Sequence, residues 1–134
     1  MREIKIKLYD DKTVKVENIL LSDKFDNEIT TVIFDFTNSE FANNLKYKYF
    51  YYKNLKEDDC KIINISTINS IILSYEFTKN YGDYDCLLVL SDEELTCFDN
   101  KGDTFVSNSF ILTIRNNFLE DIKDLIIKEN KEGL

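Results

Sequence analysis

The side chains best suited to acid–base or nucleophilic chemistry in this chain are short acidic runs and three cysteines. The acids gather at Asp10-Asp11, Asp58-Asp59 and Asp92-Glu93-Glu94. Paired carboxylates can hydrolyse a glycosidic bond, one as proton donor and the other as nucleophile or base. That work needs a concave site and one acid with a raised pKa. These runs read as polar turns, where water keeps a carboxylate ordinary. The same turns offer oxygen ligands to calcium, but no D-x-[DN]-x-[DN]-G loop is present. Cys60, Cys86 and Cys97 form no C-x-x-C pair, and histidine is absent. A Ser-His-Asp triad and imidazole catalysis are therefore excluded, and a zinc set is not expected. The odd cysteine count and wide spacing point to free thiols in a reducing compartment, with Cys86 and Cys97 as small buried hydrophobes. Gly82, Gly102 and Gly133 stand far apart and make no phosphate-binding loop. The expectation is a protein without catalytic residues, metal or cofactor.

Charge narrows the partners. The chain has 134 residues, with 17 Lys and Arg against 25 Asp and Glu, for a net charge of −8. Arg2 and Arg115 are the only arginines. A nucleic-acid binder needs a basic footprint, so that class is set aside. No apolar run approaches the roughly 18 residues of a membrane span. The opening Met1-Arg2-Glu3-Ile4-Lys5 alternates and is charged, which reads as strand and not as signal peptide. The length suits one domain, and no linker, repeat or low-complexity run divides it. The boundaries expected are a β-sandwich over 2–115 and a helix over 117–130.

The elements follow from periodicity. Ile4, Ile6 and Leu8 alternate with Lys5 and Lys7, which predicts a strand. Val14 and Val16 begin a second after the Asp10-Asp11-Lys12 turn. Residues 29–36 are β-branched and aromatic, with Val32, Phe34 and Phe36 on one face. Residues 45–53 form an aromatic strand. Extended runs follow at 60–66 and 68–78, the latter aligning Ile71, Leu73, Tyr75 and Phe77. Residues 84–90 are apolar on both faces. Strands at 95–98 and 104–107 flank a hairpin loop at 99–103, and Phe110, Leu112 and Ile114 close the last strand. The period then becomes helical: Phe118, Ile122, Leu125 and Ile126 make one stripe, with Asn117 as N-cap and Glu120 three residues on. The fold class expected is mainly β, an antiparallel sandwich with a C-terminal amphipathic helix.

One motif carries a specific physical reason. Gly82-Asp83-Tyr84-Asp85-Cys86 opens an apolar strand. In immunoglobulin-like sandwiches a Tyr two residues before a core Cys packs inward while its hydroxyl bonds nearby backbone, the tyrosine corner. Gly82 supplies the permissive backbone at the start of the strand. Gly82, Tyr84 and Cys86 are the structural residues expected here. Val32 or Phe34 stands where a partner Cys would be, and Tyr47, Tyr49 and Tyr51 stand where a core Trp would be, so no inter-sheet disulfide is expected. From Val14 to Ile114 the chain resembles the immunoglobulin-like domains of bacteriophage virion proteins, such as the N-terminal domain of baseplate upper proteins. The resemblance rests on Gly82, Tyr84, Leu87-Leu88-Val89-Leu90, and Thr104-Phe105 ahead of Phe110-Ile111-Leu112-Thr113-Ile114. It implies an immunoglobulin-like fold and an assembly role in a tail, baseplate or capsid. It also implies synthesis in a bacterial host cytoplasm, with copies of the chain or other virion proteins as partners.

Strand faces point to a surface in need of a cover. With Tyr84, Cys86, Leu88 and Leu90 inward, Leu87 and Val89 face out. With Tyr47, Tyr49 and Tyr51 inward, Phe50 and Tyr52 face out. Phe50, Tyr52, Leu87 and Val89 would form one outer apolar patch; Lys46, Lys48 and Lys53 are expected to be exposed and to help keep sheet edges apart. The helix stripe of Phe118, Ile122, Leu125 and Ile126 would dock on that patch or on a neighbouring copy, since a short helix is marginal alone. Oligomeric assembly without nucleic acid or membrane is the first functional expectation. An acidic soluble inhibitor of a host defence protein is the second, and a carbohydrate-binding module using exposed Tyr the third.

Overall fold

Alternation of β-branched or aromatic residues with polar ones draws most of the chain into strands. The structure, a computed structural model, describes residues 2–95, 103–116 and 125–130. Strand β1 (Arg2–Leu8) buries Ile4, Ile6 and Leu8 and turns at residues 9–13 into β2 (Val14–Val16). There follow β3 (Leu20–Asp23), β4 (Thr30–Asp35), the helical turn α1 (Glu40–Asn43), β5 (Tyr47–Asn54), β6 (Lys61–Asn64), β7 (Ser70–Ile72), the turn α2 (Tyr75–Thr78), β8 (Gly82–Ser91), β9 (Thr104–Val106) and β10 (Phe110–Arg115). Residues 125–130 are helical and form α3.

The strands make two sheets. One has the order β2-β1-β4-β7; the other has the order β3-β10-β8-β5-β6, with β9 also on β8. β9 and β10 lie end to end along β8, against its Val89–Ser91 and Gly82–Cys86 stretches. Ser107 joins them to it: its N–H donates to the Leu88 carbonyl, and its Oγ accepts from the Leu88 N–H, each at 2.9 Å.

The all-antiparallel expectation is corrected. β1 runs parallel to β4, and β3 runs parallel to β10. Side-chain alternation reports which face is buried and carries no information on strand direction. The chain leaves the first sheet after β2, adds β3 to the edge of the second, and returns as β4 in the direction of β1. β3 itself was not expected, because Leu20-Leu21-Ser22-Asp23 is too short to show a period. Residues 75–78 are a further correction: they are helical and not extended. Phe77 and Thr78 N–H groups both donate to the Ser74 carbonyl, at 3.0 and 3.1 Å. α1 was also unforeseen; Ser39 Oγ caps it by accepting from Ala42 N–H at 3.2 Å.

The core lies between the sheets. Ile4, Ile6, Leu8, Val32 and Phe34 of one pack with Phe50, Tyr84, Cys86, Leu88, Leu90 and Leu112 of the other. Phe34 and Phe50 meet across the gap with ring centroids 5.1 Å apart, and Phe50 continues to Phe110 at 6.4 Å. Each such side chain contributes about 1.5–3 kcal/mol on removal from water. Cys86 is a buried free thiol that burial, seconded by the Asp85 charge, pushes far above its ordinary range. Cys60 is free and exposed, and Cys97 lies outside the described residues, as do Gly102 and Gly133. No helix among the described residues is long and apolar enough to cross a membrane.

Candidate protein–protein interface

The register of β5 on β8 decides which residues share a face. Phe50 pairs with Leu88 and Tyr52 with Cys86, while Tyr49 pairs with Val89 and Tyr51 with Leu87. Directly paired residues point the same way. Leu87 and Val89 thus face outward as expected, but the partners assigned to them are corrected. Phe50 is 1% exposed in the core. Tyr52 is half-buried on that inner side, 5.5 Å from Phe50, 4.9 Å from Phe77 and 6.0 Å from Tyr84 between ring centroids. Tyr47, Tyr49 and Tyr51 take the outer face. The inverted phase traces to Lys48, which was expected to be exposed and is buried. Its Nζ donates to the Leu45 carbonyl at 2.8 Å and lies 5.6 Å from the Phe36 ring centre. Burial lowers its pKa from 10.5. A lysine in the inward phase made that phase look like the solvent side.

The outer face is a ladder of apolar cross-strand neighbours. One row is Ile62–Tyr51–Leu87; the next is Asn64–Tyr49–Val89–Val106. Ile62 is 47% exposed and Val106 40% exposed, while Leu87, Val89 and Tyr51 are half-buried. Tyr49 is buried, and its hydroxyl accepts from the Leu95 N–H at 3.2 Å, so the segment after β8 leans over it. Burial holds the Tyr51 phenol above its usual value, with Cys60 and Tyr49 nearby adding to the effect. α3 presents Leu125, Ile126 and Ile127 exposed at 61%, 52% and 54%. Phe118 and Ile122, the other half of the expected stripe, lie outside the described residues.

The strand motif has a defined geometry. Tyr84 Oη donates to the Asn80 carbonyl at 2.6 Å, four residues upstream. Gly82 has φ +120°, a conformation that side chains disfavour. Asn54 secures the same corner, donating from Nδ2 to the Tyr81 carbonyl at 3.1 Å and accepting at Oδ1 from Lys56 N–H at 2.9 Å. Burial raises the pKa of the Tyr84 phenol.

The acidic runs serve turns. Asp11 accepts from Thr13 N–H at 3.0 Å, and its carboxyl is held low by those Thr13 hydrogen bonds. Asp10 accepts from Ser39 Oγ at 2.6 Å, and Asp58, Asp59, Asp92, Glu93 and Glu94 are exposed. Among the described residues no group of three Cys, Asp or Glu is gathered to hold a metal. No protein-family model matches the chain, and no curated protein matches it.

Proposed function

We propose that this chain is a non-enzymatic assembly protein, working through protein–protein contacts as an immunoglobulin-like component of a bacteriophage or phage-like particle. The observation that carries the assembly reading is the outer apolar ladder of Tyr51, Leu87, Val89, Ile62 and Val106, to which α3 adds Leu125, Ile126 and Ile127, all exposed among the described residues. Contiguous apolar surface of this kind marks interaction sites, and copies of one chain are the commonest partners. The immunoglobulin-like reading is supported by β10, β8, β5 and β6 as sequential neighbours, by β4 and β7 paired antiparallel in the facing sheet, and by the Tyr84 hydrogen bond. The parallel β1–β4 pair departs from that pattern. The particle itself is supported by the sequence resemblance.

Light scattering after gel filtration tests the reading on three proteins: the full chain, a chain ending at Arg115, and the Leu87→Asp/Val89→Asp variant. The expected result is an oligomer for the full chain and a folded monomer for the variant. An oligomer that loses its partners on truncation places α3 in the contact. A full chain that stays monomeric at every concentration and does not co-purify with particles overturns the proposal. In that case the acidic-inhibitor alternative is tested directly against a nuclease.

A further inference from the structure

The two sheets end side by side in strands that have no outer neighbour among the described residues. β6 closes one sheet and β7 the other, and only residues 65–69 separate them in sequence. Along β7, Leu73 N–H donates to the Thr30 carbonyl at 2.9 Å and Phe34 N–H to the Asn69 carbonyl at 2.8 Å. Antiparallel ladders alternate, so the N–H and C=O groups of Ser70 and Ile72 turn away from β4. Between the strands runs a cleft of about 270 Å³ walled by Tyr52 and Ile63 from one sheet, Ile71 and Leu73 from the other, and Phe77, and lined also by Lys61, Lys79 and Glu76. Tyr52, Ile63, Ile71 and Phe77 pack on the core yet are only partly buried. Past Tyr52 and Phe77 the cleft meets a smaller cavity lined by Glu57, Asp59 and Glu76, with Lys61 as the cation among its described lining residues. Glu76 is tied to Lys79 at 2.7 Å.

We propose that this side of the sandwich accepts a strand: an extended segment of a partner protein pairs with β7, places alternate apolar side chains in the cleft, and sets a Lys or Arg against Glu57 and Asp59. Main-chain groups spaced along an edge recognise a strand and not a small molecule, and the pockets beneath choose its alternate side chains. The carboxylates at one end choose the charge and the direction. The site lies apart from Leu87 and Val89 and does not depend on the assembly reading.

The test uses a fluorescent peptide of roughly eight residues, an ordinary strand length, alternating Thr and Val and ending in two Arg. Its controls end in two Glu or carry N-methyl groups that block main-chain pairing. The expected result is saturable anisotropy with the Arg peptide, loss by about tenfold or more with either control, and slowed exchange of the Ile72 amide. Ile72→Pro removes only an outward N–H on an edge strand and should abolish binding while circular dichroism is unchanged. Glu57→Lys/Asp59→Lys, at exposed positions, should transfer the preference to the Glu peptide. The proposal is overturned by no binding at millimolar peptide, by equal binding of the N-methylated peptide, or by binding indifferent to both variants. Self-association that Ile72→Pro removes overturns the partner assignment and makes a second copy the occupant.

Discussion

Tyr84 and Gly82 act together where the chain turns into β8. The Tyr84 hydroxyl bonds the Asn80 carbonyl at 2.6 Å, and Tyr84→Phe should cost about 1 kcal/mol in urea unfolding. Gly82→Ala should cost roughly 1–3 kcal/mol. The cause is φ +120° and not crowding, since the nearest atoms to an added Cβ lie 3.7–3.8 Å away. Lys48 provides a pH-dependent case. Burial lowers its folded pKa from 10.5, so folding disfavours its charged form. The penalty is complete below the folded value and fades as pH rises toward 10.5. Lys48→Met is therefore expected to be neutral to about 1 kcal/mol stabilising near neutral pH. That advantage should shrink near pH 10.5, as paired unfolding curves will report. Tyr51, Tyr52 and Tyr84, whose phenols burial lifts, have the opposite sign. They lose stability as pH climbs past the ordinary phenol value, and they cancel in the comparison.

At the scale of elements, β5 gives the sharpest check. Phe50→Ala should cost about 3–5 kcal/mol and Tyr51→Ala about 1 kcal/mol or less, an ordering that chemical denaturation reads directly. The faces of β1 and β8 were legible in the sequence because Lys5 and Lys7, or Asp83 and Asp85, mark the side turned from the core. β5 has large apolar groups on both sides, and its one misleading polar mark, Lys48, finds a carbonyl at the strand's end. Tyr75 and Phe77 kept the strand period of Ile71 and Leu73 although the backbone coils there, since two residues satisfy either period. Of the candidate surface, Leu87 and Val89 were legible, whereas the tyrosine row depended on the phase of β5. The cleft between β6 and β7 depends on where each sheet stops, which no local pattern encodes.

For the whole molecule, the outer ladder and α3 predict association, and the Leu87→Asp/Val89→Asp variant should lower the solution mass to that of one chain without changing the circular dichroism spectrum. Another consequence lies in the parallel pairing of β3 with β10. Arg115 Nε reaches Asp23 Oδ1 at 2.6 Å across 92 residues of sequence. The earliest strand of the second sheet thus waits for the latest. Closing so long a loop gains nothing until the distant partner arrives. Newly made chain cannot complete its second sheet until Phe110–Arg115 has emerged, and β3 stays an open edge until then. Refolding should be slow for the size, on the order of milliseconds to seconds. The exposed Asp23–Arg115 ion pair at this corner is expected to open early, which amide exchange at Lys24, whose N–H donates to the Arg115 carbonyl, will read.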